Sequence, residues 1–327
     1  MITLGINAAF HDCSAALVRD GEVIAAAEEE RFTRVKHGKR PVPFAAYQLP
    51  FHAIDYCLRF AGLHMLDVDR IGYAFDPRLL PLAAKLDTTG RPASGYTDIM
   101  TLATERLAEE DASGLPPLPE SIVLPLEPSR AAPSLGDASP WDPLFLSYVV
   151  NAPRQLVGAV PHHLQERFAG LTYEQVAARW HWVEHHRAHE ASAFLASPFD
   201  QCAVLTMDGR GERATTSLGW FTGEEYRRLR QVNLPHSLGL LYEDVTRWLG
   251  FQHASDEYKV MALAAFGAPE YVDIFREHVH ATDDGAYVAQ RFELTSAFGP
   301  ARRRGDAMEQ HHLDVARSLQ QVLEDTV

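Results

Sequence analysis

The chain has 327 residues, of which 46% are hydrophobic and 23% are charged. These proportions are typical of a globular protein of about two domains, and they exclude disordered chains, collagen and small disulfide scaffolds. The 44 acidic side chains outnumber the 30 basic ones, which gives a formal net charge of -14. Such a chain repels phosphate backbones and anionic lipid head groups, so we expect neither a nucleic-acid nor a membrane partner.

Cysteine usage and hydropathy indicate the compartment. Cys13, Cys57 and Cys202 form no CxxC pair and leave one thiol over in any disulfide scheme, which favours a reducing environment. The longest apolar runs fall short of the roughly 18 residues that span a bilayer, and the first ten residues lack the basic start of a signal peptide. These features predict a cytoplasmic protein.

Two stretches of the chain predict three-stranded β-meanders. The first has a tight turn at Asp20-Gly21, which supplies the two residues with positive φ that such a turn requires, and the second has a turn at Thr222-Gly223. The predicted strands are 2–7, 14–19 and 22–27 in the first stretch, and 202–207, 215–221 and 226–234 in the second. This similarity indicates two copies of one unit, although a chance recurrence of strand and turn is the alternative.

Helical patterns alternate with these strands, as in layered α/β proteins. The predicted helices are 50–61, 97–110, 173–179, 184–194, 238–249 and 256–266. We expect Gly267 to cap the last of them.

The segment between the meanders has a different composition. Thirteen of the twenty prolines lie between Pro77 and Pro161, where each fixes φ and removes a backbone donor. The segment also contains Trp141, Phe145 and Tyr148, so we expect a packed insertion that covers a site.

The last seventeen residues carry an apolar stripe at helical spacing. Leu313, Leu319 and Val327 belong to it, and no Gly, Asn or Pro follows to end the helix. We expect this stripe to be exposed in the isolated chain and the second half to be incomplete.

Histidines and an aspartate predict a metal site. His185 and His189 are four residues apart, which puts both imidazoles on one face of a helix, about one turn apart. Asp208 ends an apolar strand, where α/β folds commonly place ligands, and its carboxylate can complete a site for a divalent first-row metal. The alternative is a pair of solvated or hydrogen-bonded histidines.

His11 is the candidate general base. It lies in the turn after the first strand, and its ordinary pKa near 6.5 lets it accept a hydroxyl proton at neutral pH; the alternative is a structural turn histidine. Basic residues between Arg31 and Arg40, including Lys36, suit an anionic ligand or form a solvated face. The DGRGE stretch that contains Gly209 offers backbone amides to a phosphate or adenylate, although no Walker A loop occurs.

These motifs together resemble a known family. Residues 9–40 (with HDCSAAL and RVKH), 183–199 (with HHRAH), 205–212 and 237–267 are similar to the N-terminal domain of the O-carbamoyltransferases that modify nodulation factors, cephems, aminoglycosides and ansamycins. The resemblance implies an α/β, duplicated ribonuclease-H-like fold of the actin, sugar-kinase and heat-shock-chaperone type. It divides the chain into a first half (1–75), a Pro-rich insertion (76–161) and a truncated second half (162–327). A YrdC-like C-terminal domain of the family is expected but absent.

The resemblance also implies the reaction. In that family the YrdC-like domain makes carbamoyl adenylate from carbamoyl phosphate and ATP, and the N-terminal domain moves the carbamoyl group to an acceptor hydroxyl beside iron(II). By position, His11 matches the active-site histidine, Lys36 and Gly239 match adenylate-contacting positions, and the predicted metal residues match metal ligands. Ala262 departs from the family pattern, where glycine is expected.

The predicted partners are therefore a natural-product acceptor and carbamoyl adenylate, with a homo-oligomer left open. Three alternatives remain. An ATP-dependent kinase of the same fold would need no carbamoyl phosphate, and an inactive module would only bind adenylate. A tRNA-modifying enzyme is disfavoured because the chain is acidic.

Overall fold

The computed structural model describes residues 1–38, 49–79, 149–150, 152–157, 168–253 and 255–327. They form two compact units, Met1–Ala188 and His189–Val327. The predicted helix 97–110 and most of the Pro-rich insertion lie outside the described residues. No helix among the described residues is long and apolar enough to cross a membrane.

The first unit is built on a mixed five-stranded sheet. Strands β1 (Ile2–Asn7), β2 (Ser14–Arg19) and β3 (Glu22–Glu28) form the predicted antiparallel meander, and β4 (Arg70–Tyr73) and β5 (Trp180–Trp182) extend it in parallel. The order is β3-β2-β1-β4-β5.

The predicted turn between β2 and β3 is confirmed. Asp20 and Gly21 have φ of 51° and 89°, and a two-residue hairpin turn of type I′ requires positive φ at both residues.

Helices cover the sheet of the first unit. They are α1 (Glu30–Thr33), α2 (Phe51–Ala61), α3 (Ala152–Val157) and α4 (Tyr173–Arg179), with short helical turns at Lys36–Gly38, Met65–Asp67 and Pro77–Leu79. The core packs Leu4 and Leu17, which face each other across β1 and β2, in one cluster with Ile54 of α2. Helix α5 (His185–Leu195) begins at the end of this unit and continues in the second.

The second unit contains the second meander. Strands β6 (Gln201–Met207), β7 (Ala214–Thr222) and β8 (Glu225–Asn233) are antiparallel and adjacent in that order. The turn between β7 and β8 is Gly223-Glu224, so the predicted Thr222-Gly223 turn is wrong by one residue. Thr222 still pairs in the ladder with Glu225, and Gly223 has the positive φ of 57° that the turn needs.

Five helices and a small hairpin complete the described part of the second unit. The helices are α6 (Leu238–Trp248), α7 (Glu257–Ala264), α8 (Val272–His278), α9 (Leu294–Phe298) and α10 (Gln310–Thr326), and the hairpin joins β9 (Val279–Ala281) to β10 (Tyr287–Ala289). Their apolar faces form one core, in which Val245, Val260 and Phe275 are fully buried.

Helix α10 overturns the expected exposure of the terminal stripe. Ala316, Leu319 and Val322 are at most 2% exposed, because α7 and α8 pack against this face. Only Val327, past the end of the helix, is largely exposed among the apolar residues of the stripe.

Gly267 is not the predicted helix cap. Helix α7 ends at Ala264, and Gly267 is not among the glycines with positive φ. A side chain at Gly267 would lie 2.0 Å from the carbonyl oxygen of Leu313, so glycine is needed there for close packing against α10.

Candidate functional site

The connection after β1 presents His11 at the surface of the first unit. Ala8, Ala9 and Phe10 continue into the core, and the next residue, His11, is exposed. The side-chain amide of Asn7 donates to the carbonyl oxygens of His11 and Asp12, both at 3.1 Å. Asp12 has a left-handed φ of 51°, a conformation that aspartate tolerates better than most residues.

Asp12 joins His11 to a second histidine. The Nδ1 atom of His11 lies 2.6 Å from Oδ2 of Asp12, and Nδ1 of His37 lies 3.0 Å from Oδ1. The hydrogen bond from His11 makes the largest contribution to lowering the pKa of the Asp12 carboxyl, and the bond from His37 lowers it further. The pKa lies well below its usual range although partial burial opposes this shift. Asp12 is therefore an anion that accepts a hydrogen bond at each oxygen.

Lys36 lies beside this cluster in the chain. It is exposed and begins the short helical turn 36–38, which also contains His37. Arg31, from the same basic stretch, pairs with Glu28 at 2.7 Å, whereas Lys39 and Arg40 lie outside the described residues. The contact of Lys36 with an anionic ligand stays a prediction.

Helix α5 carries the two predicted metal-binding histidines one turn apart. His185, at the first position, is 8% exposed, and its ring packs edge-on against Phe10 with centroids 5.0 Å apart. Its Nδ1 lies 3.4 Å from the carbonyl oxygen of Ala74. Histidines that bind a metal commonly turn one ring nitrogen to a backbone carbonyl and bind through the other, so this contact suits coordination through Nε2.

Asp208 contacts the second of these histidines. Its Oδ2 lies 3.3 Å from Nε2 of His189, while its Oδ1 accepts a hydrogen bond of 2.6 Å from the N–H of Gly209. A charge-assisted hydrogen bond is normally about 2.7–2.9 Å long. The longer separation suits two neighbouring ligands of one ion at about 2.0–2.2 Å from each.

A buried ion pair anchors α5 next to His189. Glu190 is fully buried, accepts a hydrogen bond of 2.6 Å from the hydroxyl of Ser217 on β7, and pairs with Arg228 on β8 at 3.2 Å. Because losing one partner of a buried pair is costly, this contact fixes α5 on the second sheet and with it the position of His189.

The loop after β6 rests on the first turn of α6. A side chain on Gly239 would lie 2.7 Å from the Cα and N atoms of Gly209. Ser237 caps the helix by accepting from the N–H of Leu240 at 3.0 Å, and it donates to the carbonyl oxygen of Gly209 at 2.7 Å. Gly239 therefore lets the loop approach the start of the helix, where helical geometry leaves the N–H groups of residues 238 and 239 without partners inside the helix.

A second contact holds the same loop to α6. Arg210 donates to Glu243 at 3.1 Å, and His253 lies 2.7 Å from the other oxygen of that carboxylate. Burial alone would raise the pKa of Glu243, but the hydrogen bond from His253 and the charges of Arg210 and Arg247 lower it to about 2.

Four residues of the site had no predicted role: Asp12, His37, Glu190 and Glu243. Asp12 and His37 stand in the quoted HDCSAAL and RVKH motifs, and Glu190 follows His189 directly. Their positions next to His11, Lys36 and His189 were the signal in the sequence that could have identified them. No such signal exists for Glu243, because the sequence does not show that this acidic residue of a helix is buried.

The chain belongs to the family described as Carbamoyltransferase N-terminus. Its residues 2–78 and 174–327 match that family, which is more than half of the chain. The two matched ranges contain all seven predicted site residues: His11, Lys36, His185, His189, Asp208, Gly209 and Gly239.

Individual relatives agree with this assignment. The nodulation protein NolNO of Sinorhizobium fredii is 31% identical over 98% of this chain and 38% of its own length. The nodulation protein NolO of Bradyrhizobium diazoefficiens is 37% identical over 44% of the chain and 27% of its own length. The uncharacterized protein sll1178 of Synechocystis sp. is 34% identical over 99% of the chain and 46% of its own length. The chain thus spans less than half of the length of these relatives.

Proposed function

We propose that this chain is the group-transfer part of an O-carbamoyltransferase, which moves a carbamoyl group from carbamoyl adenylate to a hydroxyl of a natural product. The observation that carries the proposal is the family match, whose two ranges include every residue of the candidate site. Carbamoyl adenylate would be formed from carbamoyl phosphate and ATP outside this chain. The whole reaction therefore needs a further domain or partner.

In the transfer step, the acceptor oxygen forms a bond to the carbamoyl carbon, and the bond from that carbon to the AMP phosphate oxygen breaks. The leaving electron pair stays on AMP, and the acceptor loses its hydroxyl proton. His11 would take this proton at Nε2, because its Nδ1 faces Asp12 at 2.6 Å. The His11 side chain is 46% exposed and lies at the surface of the first unit.

In the second unit, the nucleotide would lie on backbone amides. Gly209 and Gly239 give close access to backbone around the first turn of α6, an eleven-residue helix whose N-terminus favours anions. By its position in the family motif, Lys36 of the first unit is also proposed to contact the adenylate.

We further propose that His185, His189 and Asp208 hold a divalent metal, with iron(II) as the expected ion. The donor set of two imidazoles and one carboxylate fits such an ion. The contact of His185 with Ala74 and the 3.3 Å separation of His189 from Asp208 also fit it. When bound, the metal would supply positive charge where negative charge develops during transfer.

The fold assignment is part of the proposal. In the first unit, an antiparallel meander is extended beyond β1 by two parallel strands. This arrangement, with a second meander in the other unit, supports a duplicated ribonuclease-H-like architecture.

The test measures product mass. The protein expressed from its full reading frame receives ATP and a panel of hydroxylated natural products, with or without carbamoyl phosphate. A mass gain of about 43 that needs carbamoyl phosphate supports carbamoyl transfer, whereas a gain of about 80 from ATP alone marks a kinase and overturns it. His11→Ala should lower product formation by roughly 10²- to 10⁴-fold while adenylate formation continues. His181→Ala, an exposed position on β5, is the matched control.

A further inference from the structure

One carboxylate in the first unit is shared by two imidazoles. Nδ1 of His11 faces Oδ2 of Asp12, and Nδ1 of His37 faces Oδ1, so each oxygen has its own ring. We propose that His37 is a positioning residue, which orients Asp12 so that Asp12 keeps a proton on Nδ1 of His11 and leaves Nε2 as the base. The effect on catalysis rests on the proposed function, whereas the effect on the tautomer of His11 does not.

The hydrogen-bonding roles follow from the chemistry of the groups. An ionised carboxylate only accepts hydrogen bonds, so each Nδ1 that contacts Asp12 must carry a proton. In a neutral imidazole the other nitrogen then has the lone pair, and the hydrogen bond at one nitrogen decides which tautomer is present. His11 is therefore expected as the Nδ1–H tautomer, the form that a general base acting through Nε2 requires.

His37 acts on the orientation of this carboxylate. Since Asp12 and His11 are adjacent in the chain and both side chains are about half exposed, their contact by itself leaves the carboxylate free to rotate. His37, whose side chain is 28% exposed, occupies the second oxygen from a position 25 residues away. A rotation of Asp12 would break both hydrogen bonds at once, which opposes it.

The backbone is arranged to make this contact. His37 has φ of 60° and ψ of 10°, and Asp12 has φ of 51°, both in the left-handed region that residues other than glycine rarely adopt. Specific contacts hold these conformations: Asn7 donates to the carbonyl oxygen of Asp12, and the N–H of His37 donates to Glu30 at 3.0 Å. Unfavourable backbone that is fixed by its surroundings is common at functional sites.

A metal ion is the competing occupant of the same three residues, whose donor atoms lie within 4.8 Å of one another. A metal shared through both Nδ1 atoms would require each of them to be unprotonated. The separations of 2.6 and 3.0 Å are ordinary lengths for direct hydrogen bonds, so the geometry favours protonated Nδ1 on both rings.

The variants must respect the left-handed backbone. Glycine and asparagine both adopt positive φ readily, so His37→Gly and His37→Asn form a matched pair. The asparagine amide can replace Nδ1 as the donor to Asp12, whereas glycine offers none. Asp12→Gly removes both acceptor oxygens from the other side, and glycine adopts the positive φ of 51° found at this position. His181→Ala serves as the control.

The first measurement is the ring tautomer of His11, by NMR of protein labelled with ¹³C and ¹⁵N at histidine and assigned through His11→Gln. We expect the Nδ1–H form in the wild type, the control and His37→Asn, and its loss as the dominant form in His37→Gly and Asp12→Gly. Retention of the wild-type tautomer in His37→Gly overturns the proposal. Zinc at one equivalent that removes both Nδ1–H signals also overturns it, by showing a metal site.

The second measurement is carbamoyl transfer. We expect kcat to fall roughly tenfold in His37→Gly with little change in KM, by analogy with the loss seen when the hydrogen-bond partner of a metal-binding histidine is removed, and to recover in His37→Asn. Equal kcat in His37→Gly and the wild type overturns the positioning role. If the wild type shows the tautomer signature but transfers no carbamoyl group, the proposed function fails while the geometric inference stands.

Discussion

Glu243 offers the most direct test of how the loop after β6 is held. Its carboxylate is buried on α6 and accepts from Arg210 and His253, with Arg247 nearby at 3.7 Å. We consider Glu243→Gln, which keeps the size of the side chain and removes its charge. Arg210, two residues after Asp208, then loses its ionic partner.

The pKa of Glu243 gives the size of the effect. It falls from the ordinary 4.5 to about 2 in the folded chain, which at about 1.4 kcal/mol for each pH unit corresponds to about 3 kcal/mol of stabilisation at pH 7. Because the folded-state value is the lower one, this stabilisation is complete above the unfolded value of 4.5. It is lost as the pH falls from 4.5 towards 2.

Hydrogen exchange of the α6 peptide 238–249, followed by mass spectrometry, measures the opening free energy of this part directly. Glu243→Gln should lower that free energy by about 3 kcal/mol at pH 7, and the difference from wild type should shrink as the pH approaches 2. Glu225→Gln, at an exposed position on β8, is the control and should change little. A loss below 1 kcal/mol, or a loss of equal size at pH 7 and pH 3, would refute the reasoning.

Three further predictions address the metal site, the loop and the core. His189→Ala should lower the divalent-metal content of anaerobically purified protein by roughly tenfold in elemental analysis, and content equal to that of His181→Ala would contradict the assignment. Gly239→Ala should lower the melting temperature clearly more than Gly209→Ala, because a methyl group meets backbone at 2.7 Å in the first case and only a Leu side-chain atom at 3.9 Å in the second. Leu319→Ala should cost about 2–5 kcal/mol of unfolding free energy in urea, whereas a loss below 1 kcal/mol would show that α10 is not packed as described.

The two meanders could be predicted from the sequence because their signals are local. Alternating apolar residues and an Asp-Gly pair define a hairpin within about fifteen residues, and the predicted strand ends agree with the structure to within one residue. Strands β4 and β5 escaped prediction. Each is only three or four residues long. Each forms because it pairs in parallel with a strand that is far away in the chain.

The terminal helix shows a different limit. A periodic pattern identifies the apolar face of α10, but it does not say which element covers that face. Helices α7 and α8 bury Leu319 and Val322, so the expectation of an exposed stripe was wrong although the helix itself was predicted. The error lay in the tertiary partner, which no local pattern specifies.

In the site, too, local spacing could be predicted from the sequence, whereas contacts between distant residues could not. His185 and His189 could be paired because four residues make one helical turn. The link from Asp12 to His37 spans 25 residues and depends on two left-handed backbone conformations, and no spacing in the sequence indicates either.

The connections that follow the first strand of each meander both hold an aspartate carboxylate by contacts at its two oxygens. Residues 8–13 join β1 to β2 and residues 208–213 join β6 to β7, so both connections have the same length. In each, the connection itself supplies the contact to one carboxylate oxygen: His11 to Asp12, and the N–H of Gly209 to Asp208. The other oxygen faces a histidine from another element, His37 or His189. A carboxylate held at both oxygens cannot rotate without breaking both contacts, so the histidine from the other element contributes to its orientation.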